Sequence, residues 1–121
     1  MVSKFEYLIR DLLILSSEKE DQINLIGNGN VGTEMLINFG LSNQNLAQLA
    51  NQKVINDIQK AALEDFQFDI DYNLNLDGNL ESDEWKKTRE KAKDILKILN
   101  ASHFKVILDK SGKFWEARLI E

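Results

Sequence analysis

Residues 66–76 read FQFDIDYNLNL, and how this stretch is assigned decides the fold. Phe66, Phe68, Ile70, Tyr72, Leu74 and Leu76 alternate without a break with Gln67, Asp69, Asp71, Asn73 and Asn75. A two-residue repeat is the pattern of a half-buried strand, one face apolar and the other in water. It therefore predicts a strand. On that reading the chain changes character at residue 66, with a helical part over about 4–65 and a β-α-β-β part over about 66–120.

Upstream of that point the periodicity is helical. Ser3 and Glu6 have the spacing of a capping box, and Phe5, Leu8, Ile9 and Leu12 follow at helical intervals, which predicts a helix over about 4–15. Ser17 and Glu20 repeat the box before a second short helix through Gln22 and Ile23 to Ile26, closed by Gly27. Thr33 is positioned to cap a helical turn that runs to Phe39 and stops at Gly40. From about 43 to 65, Ala47, Ala50, Val54, Ile58, Ala61 and Ala62 form one stripe, widened by Leu46, Leu49, Ile55 and Leu63, which predicts a single long amphipathic helix.

Downstream, Asp77-Gly78-Asn79 marks a turn, and Ser82 caps a helix whose apolar face holds Trp85, Thr88, Ala92, Ile95, Leu96 and Leu99. Phe104, Val106 and Leu108 alternate again, Gly112 supplies a turn, and residues 114–120 return as a strand. The connection from Leu76 to His103 is long enough for a crossover, so the first two strands are expected parallel and the last two antiparallel. The expected fold class is α+β, with N-terminal helices and a small three-stranded mixed sheet covered by helices on one face.

At 121 residues the length fits one domain, and 43% hydrophobic with 29% charged residues is the composition of an ordinary globular chain. The chain has no cysteine and one histidine, His103, which excludes disulfides, thiol catalysis and cysteine- or histidine-rich metal centres. No charged-then-apolar leader and no apolar run of membrane-spanning length is present, so a cytoplasmic location and no membrane association are expected. A net charge of −5 argues against nucleic acid and for a basic partner. No cofactor is expected.

Three motifs suggest chemistry. GNGNVG over 27–32 has the glycine spacing of a dinucleotide loop, but that reading needs a strand before it and a second strand after its helix. The more economical reading is a helix-to-helix loop, rich in residues that accept positive φ. NLNLDGNLESDE over 73–84 lies close to the EF-hand calcium template: Asn73, Asn75 and Asp77 fall at positions 1, 3 and 5, Gly78 at 6, Leu80 at 8 and Glu84 at 12. A neutral residue at position 1, a strand where the entering helix should be, and the lack of a second loop count against it. His103 as a general base, or Asp69 and Asp71 as a magnesium-holding pair, would make a small enzyme, but no nucleophile pattern accompanies them.

Charge layout is the strongest functional signal. Between Ala61 and Trp85 there is no lysine or arginine, while Glu64, Asp65, Asp69, Asp71, Asp77, Glu81, Asp83 and Glu84 all fall there. Strand alternation would align Asp69 and Asp71 on one exposed face, next to an acidic turn, making a surface that steers a basic protein. The expected function is therefore a non-enzymatic protein-binding module, most concretely an inhibitor or immunity-type protein that neutralises a basic, nuclease-like bacterial toxin. The expected partner-binding residues are Asp69, Asp71, Asp77, Glu81, Asp83 and Glu84, with Tyr72 and Trp115 as aromatic anchors. A calcium- or other metal-binding module built on 73–84 is the alternative.

Overall fold

The helix that begins at Lys4 does so because Ser3 caps it: the Ser3 hydroxyl oxygen accepts from the Glu6 N–H at 3.2 Å. This helix, α1 (Lys4–Ser16), buries Leu8, Ile9, Leu12 and Leu15 almost completely and is the centre of the core. Residues 3–27, 29–73, 79–109 and 116–120 are described by a computed structural model, and they are mostly helical. α2 (Lys19–Ile26), α3 (Val31–Asn43), α4 (Leu46–Asn51), α5 (Asp57–Asn73) and α6 (Asp83–Ile98) follow, then strands β1 (Lys105–Asp109) and β2 (Glu116–Ile120). α1 packs against α2, α3, α6 and both strands, while α5 lies against α3, α4 and α6.

Two of the expected caps are supplied by other residues. Ser17 does not cap α2; its hydroxyl donates to the Leu13 carbonyl at 2.7 Å, and Glu18 holds the cap position. α2 does end at Gly27, where φ is 93° and ψ −147°, a region open essentially to glycine. α3 is capped by Asn30, whose side-chain oxygen accepts from the Thr33 N–H at 3.0 Å, so Thr33 lies inside the helix. Gly40 does not stop it. Burial of Met35 and Phe39 before the glycine and of Ser42 and Asn43 after it outweighs a helix-propensity cost of about 1 kcal/mol. An added Cβ at Gly40 meets nothing within 4 Å, so Gly40→Ala is expected to stabilise by about 0.4–1 kcal/mol. Gly27→Ala is expected to lose about 1–3 kcal/mol, because the strain lies in φ and not in space; urea denaturation of the two variants checks both signs.

The single helix expected over 43–65 is broken at 52–56. Lys53 takes φ 61°, and Asn56 and Gln59 form a reciprocal cap: the Gln59 N–H donates to Asn56 Oδ1 at 2.8 Å and the Asn56 N–H to Gln59 Oε1 at 2.9 Å. The same Gln59 side chain donates through Nε2 to the Ile98 carbonyl at the end of α6, 3.0 Å away. The apolar stripe that suggested continuity is not the buried one. Ala47, Val54, Ile58 and Ala61 are exposed, and the residues expected to widen that stripe, Leu46, Leu49, Ile55 and Leu63, are the ones that enter the core.

The largest correction concerns 66–76. Up to Asn73 it is the C-terminal half of α5, not a strand, and Leu74 and Leu76 lie outside the described residues. An alternating pattern places apolar residues at i and i+4 as well as at i+2, and i and i+4 share a helix face. Phe66 and Ile70 use that coincidence; with Leu63 they form an i, i+3, i+7 stripe that is buried, and Phe66 meets Phe39 edge-on at 5.4 Å. Phe68 and Tyr72 are left on the opposite face.

Without that strand the described residues hold no three-stranded mixed sheet and no parallel pair, and the fold is mostly helical, not α+β of the expected kind. Among the described residues only β1 and β2 pair, antiparallel, from Lys105↔Ile120 to Asp109↔Glu116. Phe104 and Val106 pack on the core beside them.

α6 starts where Ser82 accepts from the Trp85 N–H at 3.3 Å, and it buries Trp85, Thr88, Arg89, Ala92, Ile95 and Leu96. It ends at Ile98 with Leu99 as its cap; the next residue, Asn100, takes a φ of 57°, a conformation asparagine accepts, and the Ala101 N–H donates to the Leu96 carbonyl at 2.8 Å.

Arg89 is 7% exposed and Gln22 fully buried. The guanidinium donates to Gln22 Oε1 at 3.0 and 3.3 Å and to the Leu80 carbonyl at 2.6 Å. Gln22 Nε2 in turn donates to the Ile14 and Leu15 carbonyls at 3.0 and 3.1 Å. One pair of side chains thus ties the end of α1, α2, the approach to α6, and α6 itself. A second buried group, Asp11, accepts from Ser42 on α3 and from Arg10 at 3.1 Å.

Candidate functional site

At about 100° per residue, Phe68 and Tyr72 project from the side of α5 opposite its buried stripe. They are 70% and 75% exposed and stack on each other, ring centroids 6.0 Å apart and planes 14° apart. Ile58, 77% exposed, and the exposed Ala61 and Asp65 continue the same side. Together these five fall at i, i+3, i+7, i+10 and i+14, the spacing of a helix-packing seam. α5 therefore has two apolar faces, one in the core and one in water.

Charge surrounds the outer face. α5 contains Asp57, Glu64, Asp65, Asp69 and Asp71 against a single lysine, Lys60, which is paired with Glu64 at 2.9 Å. Asp69 turns toward α6 and forms an ion pair with Lys91. Between the two helices runs a groove of about 240 Å³, floored by Ala62, Phe66 and Ile95 and rimmed by Asp65, Asp94 and the Asp69–Lys91 pair. On the other flank, Asp71 accepts from Gln67 Nε2 at 2.9 Å beside the exposed Ile37 and Leu41 of α3.

The expected site residues are consequently dispersed. Asp69 and Asp71 sit two positions apart on a helix, on opposite flanks, and do not make a magnesium-holding pair. Glu81 is held by Lys19 at 2.8 Å; that hydrogen bond, with the charge behind it, lowers the Glu81 pKa from its ordinary value. Asp83 and Glu84 are exposed in the first turn of α6. Asp77 and Trp115 lie outside the described residues. His103 is exposed with its ring 4.3 Å from that of Phe104. Among the described residues no group of three acidic, histidine or cysteine side chains is placed to hold a metal, and no helix is long and apolar enough to cross a membrane. The 27–32 motif follows α2 rather than a strand and opens α3, so the context a dinucleotide loop needs is missing.

The 73–84 stretch has a different context from the one expected. α5 ends at Asn73 and α6 begins at Asp83, so a helix both enters and leaves it. Residues 74–78, with Asn75 and Asp77, lie outside the described residues; beyond them Leu80 is 5% exposed and Asn79 Oδ1 accepts from the Glu81 N–H at 3.1 Å.

Because the Glu81 pKa is lowered in the folded protein, its contribution to stability is present above the unfolded-state value and is lost as pH falls through the folded value. Stability of the parent is expected to decline more steeply on acidification through that range than stability of Glu81→Gln, a difference that denaturation at a series of acidic pH values measures.

Phe68 is the site residue that strand reasoning conceals, since alternation assigns it to the interior. The heptad-like spacing from Ile58 to Tyr72 was the available signal. Compared with known proteins, the chain matches no protein-family model, no curated protein and no solved structure.

Proposed function

We propose that the protein is a non-enzymatic binding module that docks a basic protein partner on the outer face of α5. The observation that carries this reading is the stacked, exposed Phe68–Tyr72 pair set among carboxylates on a helix whose other face already fills the core. Exposed aromatics are the usual anchors of an interface, and surrounding charge supplies steering and selectivity. Its narrower form is the inhibitor or immunity-type protein, in which the partner is a basic nuclease-like toxin and Asp71, with Asp83 and Glu84 at the start of α6, contacts its lysines and arginines. Charge alone supports that narrowing.

The test uses purified basic nuclease domains. Binding is expected to fall by about tenfold or more in Phe68→Ala/Tyr72→Ala and to lose salt dependence in Asp65→Lys/Asp71→Lys. Affinity and salt dependence that both pairs leave unchanged would sink the proposed surface.

A second reading is favoured by one observation, the helices on either side of 73–84. An entering helix is what the calcium template requires, and α5 supplies it. Calorimetric titration with calcium on the parent and on Glu84→Gln tests it: heat in the parent that the variant lacks supports the reading, and no heat with an unchanged melting temperature ends it.

A further inference from the structure

The outer face of α5 has a register, and the register specifies its occupant. Ile58, Ala61, Asp65, Phe68 and Tyr72 span about 21 Å of helix at 1.5 Å per residue. Their spacing repeats every 3.5 residues on average, the repeat by which one helix packs along another. An extended segment would meet side chains at a two-residue repeat and could not follow it. One position of the seam is polar: Asp65 stands where the other four are apolar. It is exposed, and among the described residues neither it nor Asp94 across the groove forms an ion pair.

We infer that the outer face of α5 receives an amphipathic helix of the basic partner, carrying an arginine or lysine in register with Asp65. This rests on the binding-module reading above. The cation's aliphatic stem lies along Ala62 and Ile95 on the floor of the α5–α6 groove, and its charged end reaches Asp65 and Asp94. Apolar residues on either side cover Ile58 and Ala61 in one direction and Phe68 and Tyr72 in the other. Flanking lysines meet Asp57 and Asp71. A second copy of this chain is the wrong occupant, because it would set five carboxylates and one already paired lysine against the same set. Like charges along a seam repel.

The probe is a dye-labelled synthetic helix of about three heptads, leucine at the seam positions, arginine at the central one and lysine on the flanks. Its binding to the full chain is read by fluorescence anisotropy. It is expected to bind, and to bind about tenfold or more weakly to Asp65→Lys and to Phe68→Ala/Tyr72→Ala. Exchanging the peptide's central arginine for glutamate is expected to weaken binding to the parent and restore it to Asp65→Lys. All these substitutions are at exposed positions, and circular dichroism confirms that each variant is folded.

A peptide that does not bind, or whose affinity is the same for parent, Asp65→Lys and Phe68→Ala/Tyr72→Ala, overturns the helix-docking inference. So does a concentration-dependent dimer of the parent in analytical ultracentrifugation that Phe68→Ala/Tyr72→Ala abolishes, which would give the face to a second copy. If the peptide result fails while Asp65→Lys/Asp71→Lys still weakens binding to basic nuclease domains, the helical occupant is wrong and the binding-module reading stands. If both are insensitive, both fall.

Discussion

Replacing Gln22 with leucine is expected to lower stability by about 3 kcal/mol or more, built from buried groups left unsatisfied at about 1–3 kcal/mol each. The Ile14 and Leu15 carbonyls lose the donor that Gln22 Nε2 gives them, and the Arg89 guanidinium loses the acceptor that takes two of its N–H groups. Arg89 is the more serious loss. It is a buried cation whose hydrogen-bond acceptors among the described residues are the neutral oxygens of Gln22 and Leu80. Taking Gln22 away leaves, among the described residues, the Leu80 carbonyl as its acceptor. A double variant, Gln22→Leu/Arg89→Met, removes cation and amide together and is expected to lose less than Gln22→Leu alone. Urea denaturation of the parent, both single variants and the double closes the cycle, and strictly additive losses would show that the two side chains do not act as a unit.

Trp85→Ala is expected to cost about 3–5 kcal/mol, a large share of the roughly 5–15 kcal/mol that holds a domain of ordinary stability folded. The side chain is fully buried on the apolar face of α6, and among the described residues it is the largest completely enclosed side chain. Its removal leaves a void in the core. Trp85→Phe keeps most of the volume and is expected to lose distinctly less. Chemical denaturation followed by far-ultraviolet circular dichroism separates the two. Equal losses would mean that volume is not what Trp85 contributes.

How far the fold could be read depended on whether its cause was local. α1 and α6 begin where Ser3 and Ser82 indicate, because a cap is made within three residues of chain, and their apolar faces are the buried ones. Residues 66–73 misled because over eight residues the strand and helix periods both place Phe66 and Ile70 together. Leu63, one turn earlier, breaks the tie only when Phe39 and the rest of the core are present to bury all three. The break after α4 was hidden for a related reason: a stripe of alanines with Val54 and Ile58 is as regular as a buried one, and only packing reveals that most of it faces water.

The site divides in the same way. The acidic stretch was visible as composition. That Asp69 meets Lys91, 22 residues away, and Glu81 meets Lys19, 62 residues away, is set by how helices lie side by side and leaves no trace in local sequence. Of the acidic residues expected to face a partner, these two are therefore occupied within the molecule, while Asp71, Asp83 and Glu84 stay in water.

The side chain of Gln59 has a mechanical consequence. A helix end ordinarily frays on its own, since its last turn is held by few bonds. Here one amide holds the opening turn of α5 through Asn56 and the closing carbonyl of α6 at Ile98. Loosening either end costs the other one of its bonds, so the two frays are coupled. The helix that presents its outer face to water is thereby kept from unwinding at the Ile58 end by a latch fastened to its neighbour.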